Sequence, residues 1–310
     1  MDYREFLSRV DISGPLREKE PMSRHTTFET GGPADIYAEP SGAEELAALL
    51  TEARRADIPV FILGGGANLL VADRGVRGLV ISTRALKDCE TLGTGDRFYL
   101  RAGAGLPISE AALLAAGAGL AGLEFIYAMP GSAGGALCMN ARCYGLCVAD
   151  ILEKVIFLDD NLRVREKSRE DAAFMAGFGY KTSPFQTGGG VILEAVFRLR
   201  PGVKDEIEEK MRRIEEDRRE KGHFLAPSAG SVFKNNRAFG APAGAILDRL
   251  GFRGFTLGGA QVSPLHANII INTGNAASAD IRRLIQIMQE KTLAETGFQL
   301  EPEIIYAGDW

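Results

Sequence analysis

The sequence predicts an α+β fold, and three observations carry that reading. Strand-like apolar runs and amphipathic helical runs mix along the chain without strict βαβ alternation. The densest stretch, Val60–Val71, is an apolar run, three consecutive glycines (Gly64, Gly65, Gly66) and a second apolar run. Those adjacent glycines fail the G-x-G-x-x-G spacing, and Asn68-Leu69-Leu70 opens no evident helix, so a nicotinamide-binding Rossmann unit is disfavoured.

The elements follow in order. Asp2–Glu20 is polar and reads as a short helix plus an arm. Arg24–Asp35 is a turn-rich entry into a strand at Ile36–Ala38. Ser41-Gly42-Ala43-Glu44 has the form of a capping box, and the helix it starts carries Leu46, Leu49 and Leu50 on one face to about Arg55. Strands are expected at Pro59–Leu63, Leu79–Ser82 and Phe98–Ala102. Ser109 is placed to cap an Ala/Leu-rich helix ending near Leu120. Pro130-Gly131-Ser132-Ala133-Gly134-Gly135 forms a second glycine loop. Strands at Val155–Asp159 and Val191–Leu199 enclose a polar loop, Phe178–Phe185. Beyond Pro201-Gly202, the charged Lys204–Lys221 carries Ile207, Met211 and Ile214 at helical spacing and reads as the first element of a new domain. A short helix Ala243–Leu250, a strand His266–Asn272 and a helix Ile281–Thr296 capped by Ser278 complete the chain.

Composition narrows the class. The 310 residues suit two or three domains. The net charge of −5 advertises no nucleic-acid surface. No basic segment leads into an apolar run at Met1–Val10, and no apolar run is long enough to span a bilayer, so a cytoplasmic protein is expected. Cys138, Cys143 and Cys147 do not match a zinc spacing, and with Cys89 they read as packing thiols, a redox role being the alternative. His25, His223 and His266 are scattered, and no metal site is expected.

Consecutive glycines let a backbone approach a ligand with no Cβ in the way, and their N–H groups suit a phosphate. The residues at Gly64–Gly66 fit either a pyrophosphate cradle or a plain tight turn. A second loop of small residues at Pro130–Gly135 favours a dinucleotide-type cofactor gripped from two sides.

Several stretches together resemble one family, the UDP-N-acetylenolpyruvoylglucosamine reductases (MurB). They are Thr26-Thr27-Phe28 with Gly31–Asp35, the Gly64–Leu70 loop, Pro130–Gly135 with Met139-Asn140-Ala141, Pro227–Asn235, Gly258–Ser263 and Leu300-Glu301-Pro302-Glu303. They come in the family's order and cover most of the chain. The lack of an insertion between Val191 and Arg200 resembles the shorter subtype.

The resemblance implies a PCMH-type (vanillyl-alcohol-oxidase-like) FAD-binding domain over residues 21–200, preceded by an arm at 1–20. A C-terminal α+β substrate domain would span 201–310. It implies non-covalent FAD, NADPH as reductant, and UDP-N-acetylglucosamine enolpyruvate as the substrate reduced to UDP-N-acetylmuramate in peptidoglycan precursor synthesis. The protein is expected to be a monomer with no nucleic-acid or membrane partner. By motif position Gly64, Gly65, Gly66, Ala67, Asn68 and Leu69 would wrap the pyrophosphate. Gly131, Ser132, Gly134 and Gly135 would approach it or the isoalloxazine.

Ser231 matches the family's proton donor and Glu303 its catalytic glutamate, although alone they read as a loop serine and a surface charge. Tyr180, Lys234, Asn235 and His266 are candidates for the substrate. Lys181 departs from the family, which carries Arg after this Tyr. It keeps the charge that would neutralise an enolate but loses a bidentate fork. Arg142-Cys143 stands where the family has Gly-Ala and places a bulky cation near the flavin motif. Two other classes fit less well: a flavoprotein that only binds, and an oxygen-using flavin oxidase. Many such oxidases tether FAD through His or Cys, and Gly64–Val71 holds neither.

Overall fold

The computed structural model describes residues 3–310, so Met1 and Asp2 at the start of the expected arm lie outside the described residues. The chain divides into two compact units. The first holds the N-terminal stretch ending at Glu18, Ile36–Gly65 and Gly78–Glu215. The second holds Lys19–Asp35, Gly66–Arg77 and Glu216–Trp310. This division differs from a single cut after residue 200, and each core gives the reason. Ile207 and Met211, on the helix Lys204–Glu220, pack in the first unit's core with Phe197, Leu199 and Leu123. Phe28 and Leu70 pack in the second unit's core with Phe233, Phe252 and Leu284, which draws two early segments into the later unit.

The first unit contains an antiparallel sheet in the order Val164–Ser168, Leu152–Leu158, Val191–Pro201, Arg97–Gly103, Cys89–Thr94, with Leu120–Ala121 added on Val191–Pro201. Leu199 lies opposite Phe98 and Glu194 opposite Gly103. Side chains alternate across a strand, so Leu100 with Ala102, and Ala195 with Phe197, enter the core together. The helix Ile108–Gly117 buries Ile108, Ala111, Ala112, Ala115 and Ala116 in the same core. A second core in this unit gathers Leu46, Leu49 and Ala53, on the helix Ala43–Arg55, with Ile36, Leu79 and Ile81. There the strand Val60–Leu63 pairs in parallel with the segment Leu79–Ser82.

The second unit contains an antiparallel sheet in the order Ser228–Ser231, Ile269–Asn272, Ala260–Val262, Thr256–Leu257. The helix Ser278–Thr296 lays Ile281, Leu284, Ile285 and Met288 in its core. Ile305–Ala307 pairs in parallel with Leu69–Val71, Ile305 standing opposite Leu69.

Three caps differ from the sequence expectation. Gly42, not Ser41, is the N-cap of the helix Ala43–Arg55. Glu45 closes that end by accepting from the Ser41 N–H at 2.7 Å and the Ser13 N–H at 2.9 Å. The Ser41 bond above all holds its carboxyl down at about 2. Ser109 lies inside its helix, and its hydroxyl accepts from the Ala128 N–H at 3.0 Å. Ser278 is itself helical, and the carboxylate of Asp73 accepts from the Ser278 and Ala279 N–H groups at 2.8 and 2.9 Å. A remote carboxylate serves a helix N-terminus as well as a local one, and no local pattern announces it. Gly297 ends the helix in the left-handed conformation.

Candidate active site

The two glycine loops meet within the first unit. A Cβ on Gly65 would stand 2.6 Å from Gly131 Cα, and one on Gly64 would stand 2.9 Å from Ser132 Oγ. Gly65 is therefore required by backbone packing, whereas a side chain at Gly64 would have to displace the Ser132 hydroxyl. The second loop is partly helical: Ser132 is the N-cap of Ala133–Cys138, its hydroxyl accepting from the Gly135 N–H at 3.3 Å. Gly134 is pressed against Ala104, where a Cβ would come to 2.7 Å.

In the second unit Gly66 lies on the His25–Thr27 segment. A Cβ there would reach His25 O at 1.9 Å, and the Thr27 N–H donates to Gly66 O at 3.1 Å. The hydroxyls of Thr27 and Thr30 are buried with no hydrogen-bond partner. Buried hydroxyls are normally satisfied. Within the first unit, two loops stripped of Cβ atoms fit the close approach of a phosphate-bearing cofactor such as FAD.

Asn68 and Leu69 have other duties. Asn68 Nδ2 donates to Glu303 O at 3.0 Å, and Asn68 O accepts from the Ile305 N–H at 3.0 Å. The Leu69 side chain is buried, and its backbone lies in the ladder with Ile305.

Ser231 ends the strand Ser228–Ser231 opposite Ile269. The next residue, Val232, accepts the Glu303 N–H at 2.7 Å, Phe233 bridges Pro302, and the Lys234 N–H donates to Glu301 O at 2.9 Å. The second unit therefore brings Ser231, Lys234 and Glu303 together through one irregular ladder. Asn268, 3 % exposed, fixes this segment: its Oδ1 accepts from the Phe233 N–H at 3.0 Å and its Nδ2 donates to Phe233 O at 2.9 Å. Its backbone carbonyl accepts from the Val232 N–H at 2.8 Å.

Lys234, with 23 % of its side chain exposed, pairs with Glu301 at 2.6 Å rather than standing as a solvated charge. Asn235 Oδ1 accepts from the Ala243 N–H at 2.9 Å. His266 Nδ1 accepts from the Asn268 N–H at 3.1 Å, and burial is the first cause that lowers its pKa.

Tyr180 and Lys181, in the first unit, form the tip of a tight turn closed by the Gly179–Thr182 bridge. Lys181 has φ +62°, where Gly or Asn is the usual occupant. Asn140 Nδ2 donates to Gly179 O at 2.7 Å, and Gln186 Nε2 donates to Lys181 O at 3.0 Å. Ser183 Oγ donates to Cys138 O at 2.6 Å. Phe178 and Phe185, on either side of the turn in sequence, meet Phe174 edge-on at 5.2 Å and 6.0 Å.

Sequence reasoning gave Asn140 and Asn268 no role. The signal for Asn140 was an Asn two residues after a helix end, a place suited to positive φ. Asn268 offered none. Arg142 is exposed, and its guanidinium donates to Gly145 O at 3.4 Å. Cys89, Cys138, Cys143 and Cys147 are free thiols, and burial raises the pKa of Cys89, Cys138 and Cys147. Among the described residues no His, Cys, Asp and Glu groups gather for a metal, and no helix is long and apolar enough to cross a membrane.

A family model described as UDP-N-acetylenolpyruvoylglucosamine reductase, C-terminal domain, matches residues 221–307, and one described as FAD binding domain matches residues 34–165. The UDP-N-acetylenolpyruvoylglucosamine reductase of Treponema denticola is 40% identical over 309 residues, covering 96% of this chain and 95% of its own. That of Caldanaerobacter subterraneus is 40% identical over 303 residues, covering 98% and 97%. The crystal structure of the Thermus caldophilus enzyme matches with a TM-score of 0.78 at 31% identity, covering 96% of this chain and all of that one.

Proposed function

Because this chain belongs to the UDP-N-acetylenolpyruvoylglucosamine reductase family, we propose that Ser231, Glu303 and Lys181 carry its reaction. The fold is α+β with a PCMH-type FAD-binding domain. The enzyme is an FAD-dependent oxidoreductase that reduces UDP-N-acetylglucosamine enolpyruvate to UDP-N-acetylmuramate with NADPH, in peptidoglycan precursor synthesis. Bound FAD supplies the relay of hydride from NADPH.

The substrate's enol double bond gains a hydride at its β-carbon and a proton at its α-carbon. Between those events the α-carbon and the adjoining carboxylate hold extra negative charge. In our reading Lys181 neutralises that charge, Ser231 gives the proton and Glu303 polarises the serine and restores its proton. A serine hydroxyl is a poor acid unless a positioned neighbour assists it. The observation that supports this reading best is the bond from Glu303 N–H to Val232 O, which ties the glutamate to the residue after the serine. Tyr180, Lys234, Asn235 and His266 would bind the substrate. Gly64–Leu69, Gly131, Ser132, Gly134 and Gly135 would hold FAD, mainly by backbone, since the Asn68 amide is engaged with Glu303.

The domain roles follow the same reading, with FAD on residues 21–200 and substrate on 201–310, although Lys19–Asp35 and Gly66–Arg77 fold with the second unit. The reading extends to a cytoplasmic monomer without nucleic-acid or membrane partners; the net charge of −5 favours only the absence of a nucleic-acid partner. Sedimentation at a mass other than 33.4 kDa would remove the monomer.

The test is anaerobic stopped flow on Ser231→Ala. NADPH should reduce the flavin at the parental rate, and reoxidation by the enolpyruvyl substrate should slow by about 10²–10⁴-fold, the usual worth of a positioned acid. Unchanged reoxidation would remove Ser231 from the chemistry.

A further inference from the structure

We propose that Asn140 is a positioning residue for Lys181, an inference that rests on the reading of Lys181 as the charge that neutralises the enolate. Asn140 lies just past the helix Ala133–Cys138, whose C-cap is Met139, and its φ is +41°. Glycine would fill such a place without strain. An asparagine here therefore calls for a use of its side chain, and both ends are used. Nδ2 donates to Gly179 O at 2.7 Å, and Oδ1 accepts from the Ala149 N–H at 3.1 Å. The residue is 4 % exposed, so neither bond competes with bulk water.

Gly179 is the residue at which the Tyr180-Lys181 turn opens. Three side chains fasten that turn to the end of one helix. Asn140 holds Gly179, Ser183 Oγ donates to Cys138 O at 2.6 Å, and Gln186 Nε2 donates both to Cys138 O at 2.9 Å and to Lys181 O at 3.0 Å. That helix begins at Ser132, which packs on Gly64. The turn is thus built on the same element as the second glycine loop.

The arrangement answers a need created by lysine. A guanidinium fork aims itself at a carboxylate, whereas an ammonium on a four-carbon stem does not. With Lys at the tip, aim must come from the backbone that carries it. Lys181 sits at positive φ, an unfavourable conformation for a non-glycine residue that persists only where the surroundings impose it. Asn140 and Gln186 impose it from the two sides of the turn.

The experiment uses the FAD-loaded enzyme and separates its two half-reactions by anaerobic stopped flow. Asn140→Asp keeps the acceptor for Ala149 N–H and the tolerance of positive φ, but removes the donor to Gly179 O. Reoxidation by UDP-N-acetylglucosamine enolpyruvate should slow about tenfold, the effect of one lost hydrogen bond of ordinary to charge-assisted strength. Flavin content and reduction by NADPH should hold at parental values, while melting temperature falls modestly for one lost buried bond and amide exchange in segment 178–187 quickens. Asn140→Gly, which suits the backbone and keeps neither bond, should show the same split if the aspartate variant folds poorly. Gln186→Ala, at an exposed position, should slow reoxidation about threefold.

Lys181→Met separates the two ideas. If it leaves reoxidation unchanged, the reading of Lys181 fails. If it slows reoxidation and the Asn140 variants do not, the positioning role is overturned. In the Lys181→Met background Asn140→Asp should add nothing, and a further tenfold loss would also overturn it. Equal slowing of both half-reactions would reduce Asn140 to general support of the fold.

Discussion

Glu303 donates its backbone N–H to Val232 O at 2.7 Å while its own carbonyl accepts the amide of Asn68 at 3.0 Å. The candidate glutamate is therefore held on both sides of its peptide, by the strand end bearing Ser231 and by the first glycine loop. The remoter support can be removed alone. Asn68→Ala should remove this bond to Glu303 O and cost about 1 kcal/mol of stability, the net worth of one such bond. Reoxidation by the enolpyruvyl substrate should slow several-fold in stopped flow. If the loss falls entirely on flavin retention, Asn68 serves the cofactor and not Glu303.

Lys181→Arg is the informative exchange at the turn. The charge is kept and a planar fork is restored, and the strained backbone is shared by both residues. Turnover should equal or exceed the parent's, by up to about tenfold for one stronger charge-assisted bond. Steady-state kcat with saturating NADPH decides it, and a large loss would show that Lys181 is not the residue facing the developing charge.

Local patterns exposed much of this architecture. The stripe Ile207, Met211, Ile214 and the run Ile281, Leu284, Ile285, Met288 are buried as their spacing requires. The nearness of the two glycine loops was also legible, because side-chain-free segments on different elements suggest a shared crowded place. The division into units was not legible. Phe28 and Leu70 give no sign in sequence that they pack beside Leu284, far along the chain. The caps failed for the same reason, since Asp73 serves a helix about two hundred residues away. The candidate residues were found through motif resemblance. What holds them, the amides of Asn68, Asn140 and Asn268, depends on tertiary hydrogen bonds that no local rule encodes.

Asn268 tests the cost of such a bond pair. It satisfies both the N–H and the C=O of buried Phe233. Asn268→Ala leaves a donor and an acceptor stranded, at about 1–3 kcal/mol each when buried, so a loss of about 2–6 kcal/mol is expected. Urea unfolding should show a lower midpoint with an unchanged slope. A loss under about 0.5 kcal/mol, the level of ordinary surface substitutions, would mean that water replaces both bonds.

The last prediction concerns pH. His223 faces His266, the ring centroids 6.1 Å apart. Burial first, then the nearby charges of Arg218, His266 and Lys221, push its pKa down to about 4, with Asp217 opposing. Unfolded, the imidazole returns to an ordinary value near 6.5. Between about pH 6.5 and 4 the unfolded chain then binds a proton at this side chain that the folded chain refuses. Stability from this group is fully present above about pH 6.5 and is lost as pH falls through that window. His266, also lowered by burial, adds in the same direction. His223→Gln should flatten the fall in melting temperature between pH 6.5 and 4 relative to the parent. Parallel curves for the two proteins would show that His223 takes up its proton in the folded state as readily as in the unfolded one.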